Sequence, residues 1–245
     1  MLVAYLLGML AVVGPFPMSP LQADPLHDAA GAGDLAEISS LIAEGVDVNE
    51  RRNDDATALM LASANGHGEL AALLVSRGAD PGVRHDTGVT ALFLASQNGH
   101  REIVSLLLSN GAEPNERRND GAAALFLASE NGYGEIVSLL LSNGAQVDAK
   151  QYVGSTALIQ ASQNGYLDIV NLLLSGGADV NANRNDGVTS LFLASLEGHA
   201  EVVNLLLSHG ADADAEADDG MTAIRIAQQQ GHEEIVTAIR SARQQ

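Results

Sequence analysis

Apolar residues recur along this chain with a period of 33 residues. Six leucine or isoleucine positions lie 33 residues apart, and Leu26 extends the series by one step towards the N-terminus; the six are Leu59, Leu92, Leu125, Leu158, Leu191 and Ile224. Six glycines keep the same spacing: Gly66, Gly99, Gly132, Gly165, Gly198 and Gly231. A strict period in this range is typical of one small structural unit stacked many times. The pattern therefore predicts a solenoid, whose function resides in its surfaces.

Each unit contains the pattern of two short helices. In residues 86–118, Thr90 stands at the N-cap position of a first helix over 91–98, which Gly99 closes. A second helix over 101–110 is apolar around much of its circumference, so neighbouring units must cover it. The second helices carry an acid in the first turn, which is favourable at the positive end of the helix dipole; these acids are Glu69, Glu102, Glu135, Asp168, Glu201 and Glu234.

The unit resembles the ankyrin repeat. The resemblance rests on Thr90-Ala91-Leu92-Phe93-Leu94-Ala95, then Asn98-Gly99-His100, Leu106-Leu107-Leu108 and Gly111-Ala112, and it covers roughly residues 24–245. It implies an all-α ankyrin-repeat solenoid of seven 33-residue units, each a helix-turn-helix with a short β-hairpin loop. The units are 24–52, 53–85, 86–118, 119–151, 152–184, 185–217 and 218–245, and the first and last serve as caps.

Two family positions differ in this chain. Alanine or serine replaces the proline that begins the first helix, at Ala58, Ala91, Ala124, Ala157, Ser190 and Ala223. Apolar residues replace the histidine that in the family bonds the threonine of its own repeat, at Met60, Phe93, Phe126, Ile159 and Phe192. We interpret these apolar residues as packing between units; the alternative is a stripe of exposed anchors for a ligand.

Composition and the first residues indicate an exported, acidic protein. The net charge of −19 disfavours binding to nucleic acids and anionic membranes, and the chain has no cysteine. Residues 1–23 carry no charge, include an apolar run over 2–13 that is too short to span a bilayer, and end in Leu21-Gln22-Ala23. We predict a signal peptide over 1–23 and a periplasmic or secreted mature protein, although the usual positive charge near Met1 is missing. The alternative is an apolar arm packed on the first unit.

Candidate chemistry is sparse. His67, His100, His199 and His232 share one position in the repeat, but stacked helices lie about 8–10 Å apart, which is too far for these side chains to share a zinc ion. Tyr133 and Tyr166 occupy the same position. We therefore predict that these residues are hydrogen-bond donors tying a helix start to a neighbouring loop. No phosphate-binding loop or catalytic triad pattern is present, so we predict no metal, no cofactor and no enzymatic activity.

Charged residues near the hairpins form two series. The basic series is Arg51, Arg84, Arg117 and Lys150, and the acidic series is Asp54, Asp120, Asp186 and Asp219. We expect the two series to neutralise each other as surface ion pairs, with a positive strip for an acidic partner as the alternative.

The resemblance also implies the function, a protein–protein interaction module or scaffold. Family ligands lie in the concave groove formed by hairpin tips and first helices. By register, the groove residues are Asp54, Ala56, Ala64, Asn65, Thr87, Val89, Gln97, Asn98, Asp120, Ala122, Glu130, Asn131, Val153, Ser155, Gln163, Asn164, Asp186, Val188, Leu196 and Glu197. Tyr152 joins them as a candidate binding hot spot, or as an ordinary surface aromatic.

The expected partner is a protein of unknown identity. We expect no nucleic acid, no membrane insertion after signal removal, and a monomer. Two other roles stay open, an inhibitor or immunity protein for a toxic periplasmic enzyme and a structural spacer without a specific ligand.

Overall fold

The computed structural model describes residues 24–244, and the predicted all-α solenoid is confirmed there. Each predicted unit contains one pair of helices, and no extended strand occurs in this described part. The helices are α1 Pro25–Ala32, α2 Leu35–Ala43, α3 Ala58–Asn65, α4 Gly68–Ser76, α5 Ala91–Gln97, α6 Arg101–Ser109, α7 Ala124–Glu130, α8 Gly134–Ser142, α9 Ala157–Gln163, α10 Leu167–Ser175, α11 Ser190–Glu197, α12 Ala200–Ser208, α13 Ala223–Gln230 and α14 Glu233–Ala242. The predicted signal peptide over 1–23 lies outside the described residues.

The first helices begin at a repeated threonine cap. In five units its Oγ1 accepts the backbone N–H three residues later, at 3.3–3.4 Å; these threonines are Thr57, Thr90, Thr156, Thr189 and Thr222. The fourth unit has Ala123 at this position, with the same extended backbone and no side chain that can accept. The Phe126 N–H bonds the Ala123 carbonyl oxygen instead, at 3.0 Å, so the first helix of unit four, α7, begins without a side-chain cap.

Stacking of like helices builds one continuous core. First helices pack on first helices and second helices on second helices, and the two helices of each unit pack on each other. Among the residues that replace the family histidine, Met60, Phe93, Phe126 and Ile159 are buried. Phe192 is half-buried. The interpretation of these side chains as packing between units is confirmed at four of the five positions.

The hairpins are reduced to isolated antiparallel bridges. One such bridge joins Arg117 to Ala123, and similar bridges occur in the units beginning at residues 53, 185 and 218. The tips are joined from unit to unit by backbone bonds, including Tyr152 N–H to Asp120 O at 2.8 Å and Asn185 N–H to Val153 O at 3.0 Å. The tips therefore form one edge that runs along the stack.

The two ends of the stack are finished differently. The last unit exposes a set of polar residues, Arg225, Gln228, Gln229, Gln230, Arg240 and Arg243, as expected of a cap. In the first unit His27 is buried, with Nδ1 2.6 Å from the Asp24 carboxylate and Nε2 3.1 Å from the Glu50 carbonyl oxygen. His27 stands at the family histidine position, and both of these contacts lie within unit one.

Candidate protein-binding surface

The front face is formed by the hairpin tips and the C-terminal turns of the first helices. Nine of the predicted groove residues are exposed there: Asn65, Thr87, Asn98, Asn131, Tyr152, Val153, Asn164, Asp186 and Glu197. Eight are half-buried: Asp54, Ala64, Gln97, Asp120, Glu130, Gln163, Val188 and Leu196. These seventeen side chains are accessible from one side of the solenoid.

Four predicted groove residues are buried, and this corrects their assignment. They are Ala56, Val89, Ala122 and Ser155, all 6 % exposed or less. Each follows the hairpin tip, and its carbonyl closes the hairpin, as in the Arg118 N–H to Ala122 O bond of 2.9 Å. The tip is a β-turn, with the Gly121 N–H bonded to Arg118 O at 2.8 Å, and the chain leaves this turn towards the core at the buried position. Their side chains cannot contact a partner.

The asparagines at the ends of the first helices serve the stack. Asn65, Asn98 and Asn164 donate their side-chain amides to carbonyls of the preceding first helix at 2.8–3.0 Å. Asn131 instead donates to Leu127 O within its own helix, at 2.8 Å. The asparagine at this position therefore serves mainly to hold neighbouring units together.

The repeated histidines tie each second helix to a neighbouring unit, as predicted, but their acceptors lie in the last turn of a first helix and not in a loop. In all four, Nε2 lies 3.0–3.2 Å from a carbonyl oxygen of the first helix of an adjacent unit; the acceptors are Gly31, Ala64, Gln163 and Leu196. Tyr133 and Tyr166 stand against the preceding glycine, but no such bond from their hydroxyls is seen within residues 24–244. Within the same range no group of three metal-ligating side chains comes together.

The Asp series forms its ion pairs with a different set of arginines from the one expected. Asp54, Asp120 and Asp186 pair with the arginines two residues before them, Arg52, Arg118 and Arg184; the Arg118 Nε to Asp120 Oδ1 distance is 2.9 Å. Each pair lies within a β-turn, as in the Gly121 N–H to Arg118 O bond of 2.8 Å, and this turn holds the arginine beside the aspartate. The basic series lies one residue earlier and bonds the next unit instead. The expectation that the two series neutralise each other is therefore wrong.

The basic series joins consecutive units through backbone carbonyls. Arg84 donates to Arg117 O at 2.8 Å, Arg117 to Lys150 O at 2.9 Å, and Lys150 to Asn183 O at 2.8 Å. Arg84 also pairs with Glu116. These cations are engaged in stacking, which argues against a free positive strip.

Three charged residues meet on the front face, Arg118 at the end of unit three and Asp120 and Glu130 of unit four. The hydrogen bond to Asp120 raises the pKa of Arg118 against the effect of burial, and Glu130 raises it further. Burial would raise the pKa of Asp120, but bonds from Arg118 and the Ala122 N–H lower it overall. Burial raises the pKa of Glu130; Arg118 opposes this and Asp120 adds to it. Arg118 thus neutralises Asp120 and leaves Glu130 as the net charge of this cluster.

The hairpin of unit five differs from the other hairpins in being uncharged and apolar. Tyr152 is 73 % exposed and Val153 is 52 % exposed, and with Tyr166 they are the large apolar or aromatic side chains most exposed in the described residues. Other internal units have Asn or Asp where Tyr152 stands. The exposure of Tyr152 predicted from the sequence is confirmed.

Comparisons with known proteins identify the family. The family model "Ankyrin repeats (3 copies)" matches residues 3–85, 26–118, 92–184 and 158–244. The chain belongs to the ankyrin-repeat family. A solved structure of the Bcl-3 ankyrin repeat domain, from a protein described as a unique member of the IkappaB family, is similar at 31 % identity with a TM-score of 0.75. The similarity covers 88 % of this chain and 97 % of that one.

A second similar structure is the human ASB11 ankyrin repeat domain. It has 29 % identity and a TM-score of 0.78, with 87 % of this chain and 97 % of that chain covered. A search of curated protein sequences gave no significant match. Ankyrin repeats are generally protein–protein interaction modules. No helix within residues 24–244 is long and apolar enough to cross a membrane.

Proposed function

We propose that this ankyrin-repeat protein is a protein–protein interaction module without enzymatic activity, and that its front face binds the partner. The observation that carries the proposal is the exposed pair Tyr152 and Val153, on a solenoid whose other aromatic and large apolar side chains are mostly buried. An exposed aromatic residue held on a rigid backbone loses little entropy on binding, which is why tyrosine is common at binding hot spots. A spacer without a ligand has no need of such a patch.

The experiment uses the single lysine of the chain, Lys150, which is exposed two residues before Tyr152. A photo-crosslinker attached through an amine-reactive group labels only Lys150 and the N-terminus. After irradiation in the native envelope fraction, a partner attached at Lys150 is identified by mass spectrometry, and its affinity is measured for the purified variants.

Variants of the front face distinguish this proposal from its alternatives. We expect at least one of Tyr152→Ala, Gln163→Ala and Leu196→Ala to reduce the binding free energy for the partner by about 1 kcal/mol or more. Glu201→Ala, an exposed change on the second helix α12, is the control and should have no effect. Loss of binding in the control alone would refute the front-face assignment, and no specific crosslink would favour a spacer.

We further propose that residues 1–23 direct export and that the mature protein is periplasmic or secreted, so the partner is sought in that compartment. An inhibitor or immunity role would appear as a crosslink to an enzyme whose activity the protein abolishes. N-terminal mass spectrometry of the native protein should find Asp24 as the first residue. An intact Met1 on protein in the cytosolic fraction would refute export.

A further inference from the structure

Glu130 occupies a position where a carboxylate destabilises the fold. It ends α7, where the helix dipole disfavours negative charge, and it is half-buried beside Asp120. Within residues 24–244 no ion pair or hydrogen bond to its carboxylate is seen, since Arg118 is bonded to Asp120. The same register holds uncharged residues in the other units: Ala64, Gln97, Gln163, Leu196 and Gln229. A local conflict of this kind, where a neutral residue is available, indicates a functional requirement.

Glu130 adjoins the apolar hairpin of unit five. The Tyr152 N–H bonds Asp120 O at 2.8 Å, and the Tyr152 ring leans over Gly121 of unit four. The Asp120 charge is close enough to raise the pKa of Glu130, in addition to the larger effect of burial. The front face thus presents one uncompensated carboxylate and, one unit further along, an exposed aromatic and an exposed valine.

The repeat spacing suits an extended ligand. Helices α7 and α9 pack directly on each other, and packed helices lie about 8–10 Å apart. An extended polyproline II segment rises about 3.1 Å per residue and returns to the same face every third residue, about 9 Å on. Two side chains three residues apart in such a segment therefore match one step of the solenoid.

We propose that the front face of units four and five recognises an extended segment of a partner protein that carries an arginine or lysine a few residues from a large apolar side chain. The cation pairs with Glu130, and the apolar side chain covers Tyr152 and Val153. This inference rests on the proposed function and adds the chemistry of the partner. The acidic net charge of −19 steers such a cationic segment towards the protein.

The test is selection from a random peptide library displayed on phage, with the purified full chain as the immobilised target. Enriched peptides are synthesised, and their dissociation constants are measured by calorimetry at fixed salt. We expect enriched sequences to share a basic residue at one fixed spacing of a few positions from an aliphatic or aromatic one. Glu130→Gln and Tyr152→Ala should each weaken binding about tenfold or more, because truncating one partner of a desolvated contact leaves the other unsatisfied.

Two further variants sharpen the test. Glu113→Gln removes one exposed carboxylate from a long loop and should leave affinity unchanged, which separates pairing at Glu130 from the loss of overall charge. Glu130→Arg should redirect the selection towards peptides with Asp or Glu at the same spacing. Glu130→Gln is expected to fold, because glutamine stands at this register in units three and five.

Several results would overturn the inference. These are no enrichment at all, enrichment without the basic residue at that spacing, or equal affinity for the parent and Glu130→Gln proteins. If the crosslinked native partner loses affinity for Tyr152→Ala but not for Glu130→Gln, the proposed function stands and this inference fails. If the native partner binds every front-face variant as tightly as the parent protein, the proposed function itself fails.

Discussion

Replacing Ala123 by threonine should stabilise the protein. Unit four lacks the N-cap that five other units have, and its Ala123 backbone (φ −107°, ψ 163°) matches that of Thr57 (φ −106°, ψ 160°). Threonine therefore fits without backbone strain. The surrounding sequence is also matched, since Ala-Leu-Phe-Leu-Ala-Ser follows the cap in both unit three and unit four. The new Oγ1 would accept the Phe126 N–H, which now bonds only the Ala123 carbonyl oxygen at 3.0 Å, as Thr90 accepts the Phe93 N–H at 3.3 Å.

The size of the gain follows from the caps already present. Substituting a Thr, Ser, Asn or Asp cap by alanine costs about 0.5–2 kcal/mol. The five threonine caps here accept at 3.3–3.4 Å, which is long for a hydrogen bond, so the lower part of that range applies. We expect Ala123→Thr to raise the free energy of unfolding by about 0.5–1 kcal/mol.

Urea unfolding followed by far-ultraviolet circular dichroism measures this change. The midpoint should rise with an unchanged slope, because the surface exposed on unfolding is the same. Thr90→Ala in unit three is the matched reverse change and should lower the midpoint by a similar amount. An unchanged or lower midpoint for Ala123→Thr, together with a clear loss for Thr90→Ala, would refute the reasoning that a missing cap weakens unit four.

Three more predictions concern single side chains. Asp55→Gly should raise the free energy of unfolding by about 0.5–1 kcal/mol in urea melts, because Asp55 is the non-glycine residue with positive φ (63°) in the described chain. His199→Ala should lower it by about 1 kcal/mol through loss of the bond to Gln163 O, and an unchanged melting curve would contradict this. Glu130→Gln should raise the free energy of unfolding at neutral pH, and this gain should vanish below about pH 4. The raised pKa of Glu130 means that its destabilising charge is present at neutral pH and is lost when both folded and unfolded states are protonated.

The repeat period was enough to predict the helices, because every unit repeats the same caps and apolar positions. Thr90 and Gly99 mark the beginning and end of a first helix in the sequence, and α5 occupies Ala91–Gln97. The role of the histidines was also predictable, since four equal positions one unit apart must meet equal neighbours. His100, for example, bonds the carbonyl of Ala64.

Side-chain direction at the hairpins was not predictable from the period alone. A period of 33 places Arg51 near Arg84 and Asp54 near Thr87, but it does not say which residues share a face within one hairpin. The structure shows that Arg52 and Asp54 do, while Ala56 turns inward. The available signal was the turn sequence, such as Arg118-Asn119-Asp120-Gly121, because a four-residue β-turn reverses the chain before Ala122 and strand alternation does not apply within it.

Unit four combines three local weaknesses, and they lie beside the proposed binding surface. It has no side-chain cap at Ala123, Tyr133 forms no bond to the first helix of unit three, and Glu130 opposes the dipole of α7. In a repeat protein, stability is a sum of units and of interfaces between neighbours, so such losses act locally. Unit four should therefore open more readily than unit three.

Hydrogen exchange can test this with an internal control. Helices α5 and α7 have the sequences ALFLASQ and ALFLASE, so their unprotected amides exchange at nearly equal rates. We expect the amides of α7 to exchange faster than those of α5 in the parent protein, because local opening there needs less free energy. The combination of Ala123→Thr with Glu130→Gln should bring the two helices to similar protection, and a saturating basic–apolar peptide should slow exchange in α7 more than in α5. Equal protection of α5 and α7 in the parent protein would show that the missing contacts do not weaken unit four, and would remove the link between local stability and the proposed surface.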